Sequence, residues 1–175
     1  TAGNSGAPGS LPSLQIDTVA PVATVTGGVQ LSNDTGTPGD LITNDPQQTL
    51  SGTLSAPLAA GDVVQVSVDG GQTFAAATVT GTGWTLAGQP LAASGTLVVR
   101  VADAAGNVSA AVSTPYTVDT VAPTVAIASS SATLLPGQST TLTLTFSEVP
   151  QGLTAAALAV TGGTVSGFAV TANPA

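Results

Sequence analysis

The sequence predicts an all-β chain made of tandem β-sandwiches, with about seven strands in each complete unit. Three observations carry this. A motif, Ile16-Asp17-Thr18-Val19-Ala20-Pro21-Val22, returns as Val118-Asp119-Thr120-Val121-Ala122-Pro123-Thr124; the interval of about 100 residues is the size of one sandwich. Apolar residues alternate with polar ones over short runs, and none keeps a helical period. Gly and Pro, 21 and 12 of the 175 residues, interrupt these runs often enough to mark turns.

The repeat sets the domain frame. Ala105-Gly106-Asn107-Val108-Ser109 precedes the second copy much as Ala2-Gly3-Asn4-Ser5 precedes the first. Residues 1–16 are then the last strand of a preceding repeat. Residues 17–118 form one complete unit. Residues 119–175 form the N-terminal part of a following unit of a sister subtype.

Within the complete unit, strands are expected at about 22–27, 48–54, 63–69, 73–80, 83–87, 96–103 and 109–118. Val64, Val66 and Val68 share one face of their strand, with Gln65 and Ser67 on the other. Leu97, Val99 and Val101 alternate with Val98, Arg100 and Ala102, and in the following unit Leu142, Leu144 and Phe146 alternate with threonines. Such runs bury one face and leave the other to water, where Thr has high strand propensity without charge. Asp69-Gly70-Gly71-Gln72, Gly81-Thr82-Gly83 and Asp103-Ala104-Ala105-Gly106-Asn107 supply turns. Trp84, Phe74 and Tyr116 are expected in the core.

Composition excludes several functions. Only 6% of residues are charged and the net charge is −8, yet 42% are hydrophobic. There is no His and no Cys, so the usual general bases, nucleophiles and zinc ligands are missing, and no enzyme is expected. Arg100 is the one cation, so no basic surface can neutralise phosphates and nucleic acid is not an expected partner. No apolar run is long enough to span a bilayer, so no membrane insertion is expected. Gly27-Gly28 and Gly162-Gly163 lack the lysine and helix of a phosphate loop.

The order of motifs resembles bacterial Ig-like repeats. It runs Asp-Thr-Val-Ala-Pro, Asp34-Thr35-Gly36, Asp40-Leu41-Ile42-Thr43-Asn44, Val66-Ser67-Val68-Asp69-Gly70-Gly71, then Asp103-Ala104-Ala105-Gly106-Asn107. Ala122-Pro123-Thr124-Val125, Leu142-Thr143-Leu144-Thr145-Phe146-Ser147-Glu148 and Val160-Thr161-Gly162-Gly163-Thr164 resemble a sister subtype. Such repeats build stalks of large surface adhesins and biofilm-associated proteins, including those of the RTX type. The resemblance implies immunoglobulin-like sandwiches in an exported extender region at the bacterial cell surface, with neighbouring repeats as partners and calcium at domain junctions.

An acidic chain rich in Asp and backbone carbonyls suits a hard cation such as calcium. In an immunoglobulin-type sandwich the chain enters at one pole and leaves at the other. Asp17, Asp103 and Asn107 are therefore candidate calcium ligands at the entry junction. Asp119, Asp34, Asp40, Asp45 and Asp69 are candidates at the exit junction. The competing reading is that each Asp caps a local turn. Two other functions remain open: a filament in which residues 1–16 of one copy complete the unfinished last unit of the next by strand addition, and a glycan-binding module. Arg100 is expected on a wet strand face, paired across the sheet with an Asp. Glu148 is expected in a solvent-facing turn, and the sequons at Asn33 and Asn107 are expected to be accidental.

Overall fold

The alternation in Gly95–Ala102 (β8) shows how the fold is built. Leu97, Val99 and Val101 are fully buried, while Val98 and Arg100 between them are half-exposed. Stacking such one-sided strands is the way to hide their apolar faces. The computed structural model describes residues 16–150 and 152–171, in two compact units that divide between Thr120 and Val121. The strand expected over 1–16 lies outside the described residues except for Ile16, which is exposed.

Among the described residues, the first unit has nine strands: β1 (Val25–Leu31), β2 (Ile42–Thr43), β3 (Gln47–Leu54), β4 (Val63–Ser67), β5 (Ala75–Ala76), β6 (Thr78–Thr80), β7 (Gly83–Pro90), β8 and β9 (Val112–Val118). One sheet has the order β1-β3-β7-β6 and the other β2-β9-β8-β4-β5. Neighbouring strands are antiparallel except β2 and β9, which run parallel. Two such sheets over one shared core are the immunoglobulin-type sandwich. The core joins Val25, Val29, Leu50, Leu54 and Trp84 of the first sheet to Val64, Val66, Leu97, Val99, Val101 and Tyr116 of the second. Each large side chain buried there contributes about 1.5–3 kcal/mol.

Four strand expectations need correction. β1 runs on to Leu31 because Gly27-Gly28 forms a bulge: pairing with β3 shifts register between Thr26 and Gln30, and Gly27 takes φ +72°. The strand expected over 73–80 is two strands. Ala75–Ala76 pairs with β4 and Thr78–Thr80 with β7, so the chain changes sheets between them. The last strand starts at Val112, with only an Ala102–Val108 bridge before it. β2 was not expected, since two residues carry no readable alternation.

Trp84 and Tyr116 are buried as expected. Gly52 makes room for the indole: a Cβ there would lie 2.7 Å from a Trp84 ring carbon. Phe74 is not in the core. It is half-exposed, and the Arg100 guanidinium stands 3.9 Å over its ring on the outer face of the second sheet.

In the second unit β10 (Val125–Ser129) pairs antiparallel with β11 (Leu142–Phe146), and Ala155–Ala157 makes a 3-10 turn. Val125 stands opposite Phe146, and Ile127 opposite Leu144. These residues and Leu142 form one apolar sheet face. Ile127 is 67% exposed, and none of the buried hydrophobic residues described lies in this unit.

Candidate functional site

The two poles of the first unit hold the acidic residues. At the entry pole, the turn after β8 is closed by Asp103. Its N–H donates to Asn107 O at 3.0 Å, and Gly106 N donates back to Asp103 O at 3.2 Å. The Asp103 carboxylate accepts from the N–H groups of Ala105 and Asn107 at 2.9 and 2.8 Å, and from Asn107 Nδ2 at 2.8 Å. That side-chain bond, followed by the turn amides and against some desolvation, holds the Asp103 carboxyl below its usual pKa. Asn107 Nδ2 also donates to the carbonyl of Asp17 at 3.2 Å, and Asp17 Oδ1 accepts from Val19 N at 2.9 Å. The three residues named for this pole thus meet here, and their polar groups are used on one another and on the turn.

At the exit pole, the connection from β1 to β3 carries Asp34, Asp40 and Asp45. β2 within it lies beside the end of β9, so that Asp119 N donates to Thr43 O at 2.9 Å. Asp40 Oδ1 accepts from Ile42 N at 2.9 Å, around Leu41 at φ +59°. Asp45 accepts from Gln47 N at 2.8 Å and from Asn33 Nδ2 at 3.1 Å. The Gln47 amide and then Asn33 lower its pKa. Asp34 differs. Its Oδ2 accepts from Gly39 N at 2.6 Å, while its Oδ1 is buried with no hydrogen-bond partner.

This connection is organised by Gln48, which the sequence reading missed. Gln48 is 1% exposed. Its Oε1 accepts from Ser32 Oγ at 3.1 Å and Asn33 N at 3.0 Å. Its Nε2 donates to Asn33 O at 3.1 Å, Thr43 Oγ1 at 3.2 Å and Asp45 O at 2.9 Å. The signal was present: Gln48 shares the inward row of β3 with Leu50 and Leu54, a polar residue at a core position that demands partners.

Asp69 closes the hairpin after β4. Its carboxylate accepts from Ser67 Oγ and Thr73 Oγ1, both at 2.6 Å, and from the amides of Gln72 and Thr73. Ser67 first, then Thr73, push its pKa far below the carboxylate range. Among the described residues, no group of three or more His, Cys, Asp or Glu side chains is placed to hold a metal. Any cation here would therefore need carbonyl, amide or water oxygens besides one or two carboxylates.

Arg100 does not pair with an Asp. Its Nε donates to Gln65 Oε1 at 2.9 Å, and Phe74 takes the guanidinium face. The reason is register: Gln65 is its direct cross-strand partner on β4. Both sequon asparagines, Asn33 and Asn107, are tied into the pole networks. Glu148 is exposed, as expected.

A two-sheet sandwich with structural turns and self-bonded polar clusters is an immunoglobulin-type β-sandwich module. Residues 20–120 match one family model and residues 119–174 a second, each described as a bacterial Ig-like domain. The chain belongs to the bacterial Ig-like domain family. Its domains are as a rule structural rather than enzymatic and occur in extracellular or surface proteins. No curated protein matches the chain. Among the described residues, no helix is long and apolar enough to cross a membrane.

Proposed function

We propose that the chain is an extender segment of a secreted bacterial adhesin or fibre, which holds a distant adhesive element away from the cell in adhesion or biofilm formation. The observation that carries this reading is the path of the first unit. The chain enters beside Asn107 at one pole and leaves beside Thr43 at the other. Such a unit adds its own length to whatever it is part of. The test is antibody against the chain applied to intact cells of the producing bacterium. Surface labelling is expected, and labelling only after lysis overturns the reading.

Calcium is proposed to stiffen the exit pole rather than the entry pole. At the entry pole the Asp103 carboxylate is taken up by its own turn and by Asn107, whereas Asp34 Oδ1 is buried without a partner in a loop rich in carboxylates, carbonyls and hydroxyls. Thermal unfolding with calcium and with chelator tests it. A site saturated at about 100 times its Kd adds about 2.7 kcal/mol. The gain is expected to shrink in Asp34→Asn and to persist in Asp103→Asn; no gain in the wild-type chain overturns it.

A second reading, a filament joined by strand addition, is favoured by the exposed apolar face of β10 and β11. Residues 1–16 of a neighbouring copy are its proposed occupant. Light scattering of the chain at rising concentration tests this, and a monomer throughout excludes it.

A further inference from the structure

We propose that the Asp45–Pro46 peptide bond is a self-cleavage site: the Asp45 carboxylate attacks its own backbone carbonyl, and the chain parts between β2 and β3. The cleavage stands on the geometry of the exit pole. Its use, as a fixed point at which a tether is released, rests on the extender reading.

The residue before the bond is held at each of its polar groups. Asp45 N donates to Thr43 Oγ1 at 3.0 Å. The Asp45 carbonyl oxygen accepts from Gln48 Nε2 at 2.9 Å, and Gln48 is 1% exposed. A buried amide aimed at a carbonyl oxygen stabilises the negative charge that the oxygen gains under attack. Oδ1 of the carboxylate accepts from Gln47 N at 2.8 Å, and Oδ2 accepts from Asn33 Nδ2 at 3.1 Å. The Oδ1 bond closes a ring of side chain and backbone around the Asp45–Pro46 bond. The carboxylate is thereby kept beside the carbon it attacks, and fixing a nucleophile beside its target raises the rate. Pro46 is exposed. Its nitrogen carries no hydrogen and an extra carbon, which makes it more basic than an ordinary peptide nitrogen and leaves it open to a proton from water.

The step balances as follows. A carboxylate oxygen bonds the Asp45 carbonyl carbon, whose own oxygen takes the charge against Gln48 Nε2. The bond from that carbon to the Pro46 nitrogen then breaks. Its electron pair goes to the nitrogen, which takes a proton from water and leaves as a secondary amine. The Asp45 end is left as a cyclic anhydride, and the hydroxide from that water opens it to two carboxyl groups. One water is consumed and one peptide bond is hydrolysed. The cut falls at a particular place in the topology. Among the described strands, β1 pairs only with β3 and β2 only with β9, so the piece before the cut holds the outermost strand of each sheet. At rest the cut chain stays assembled. Under tension that piece peels from two edges without opening the interior of either sheet.

The test incubates the full chain for days at neutral pH with chelator present, so that no cation engages the carboxylate. Mass spectrometry under denaturing conditions is expected to find two pieces accumulating, one ending at Asp45 and one beginning at Pro46. A native sizing column is expected to elute them together. The same chain held unfolded in urea lacks the Gln48 donor and is expected to cleave at least about a hundredfold more slowly. Asp45→Ala removes the attacking group and is expected to stay intact. Pro46→Ala keeps the carboxylate but substitutes an ordinary peptide nitrogen. It is expected to slow cleavage while the fold, read by Trp84 emission, is retained. No fragments from the folded chain, equal rates folded and unfolded, or a cut that persists in Asp45→Ala each overturn the proposal. Failed surface labelling sinks the extender reading and leaves the cleavage standing, whereas an intact chain sinks the cleavage alone.

Discussion

Asn107 Nδ2 lies 3.2 Å from the carbonyl oxygen of Asp17, across a sequence separation of 90 residues. The same amide donates to Asp103 Oδ2 at 2.8 Å. One side chain thus ties the entering segment to the turn between β8 and β9. Asn107→Ala is expected to lower stability by about 1 kcal/mol, the usual net value of such bonds. Hydrogen exchange should rise at Ala105 and at residues 17–19, and stay unchanged at β3. Equal exchange in the wild-type chain and Asn107→Ala would mean the tie is incidental.

Gln48→Leu keeps the volume and removes every partner of Asn33 O and Asp45 O that Gln48 supplies. The expected loss is about 1–3 kcal/mol, since Asn33 N, Asn33 O and Asp45 O each lose a bond while Asn33 O keeps the one from Thr43 Oγ1. Urea unfolding measures it, and the 32–47 connection should lose exchange protection before β4 and β8 do. A loss under about 0.5 kcal/mol would reduce Gln48 to an ordinary surface substitution.

Gly52→Ala places a methyl 2.7 Å from the Trp84 ring, too close for any carbon pair. The indole is 1% exposed and must shift to admit the methyl, so overpacking is expected to cost about 1–3 kcal/mol. Trp84 is the one tryptophan, so its emission reports the site alone. A red-shifted spectrum with lowered Tm is the expected result, and an unchanged Tm would refute the packing argument.

Acid sensitivity follows from Asp69 and Asp103. Hydrogen bonds from Ser67, Thr73 and Asn107 depress both pKa values in the folded chain. The unfolded chain binds these protons first as pH falls. Their contribution is therefore complete at neutral pH, begins to fade near the ordinary value of 3.8, and is lost toward the lower folded values. Tm should hold from pH 7 to 5 and decline below 4. Asp69→Asn should have a lower Tm at pH 7 and a flatter profile below pH 4. A parallel profile would show that Asp69 is not linked to folding.

The strands with strict alternation, β4, β8 and β11, were legible because one face of each carries a continuous apolar row. Trp84 and Tyr116 were legible for the same reason. Phe74 was not: it follows a glycine turn, and the arginine that covers it comes from two strands away in space. β2 was invisible because its partner is set by tertiary contact alone. The acidic residues could be assigned to poles from topology, and Asp17, Asp103 and Asn107 do meet. What each carboxylate accepts could not be read, because that depends on turn amides two to five residues away. Gln48 could have been found, as a polar residue in an apolar row.

Arg100 is the chain's one lysine or arginine, and it sits in the middle of β8, between β4 and β9. Trypsin cuts after basic residues and needs its target segment freed from the sheet. To free Arg100, β8 must leave both neighbours and expose Leu97, Val99 and Val101, which is the loss of the core itself. Tryptic cleavage of this chain is therefore a clock for unfolding of the first unit as a whole, since fraying ends and loose loops offer the protease nothing to cut.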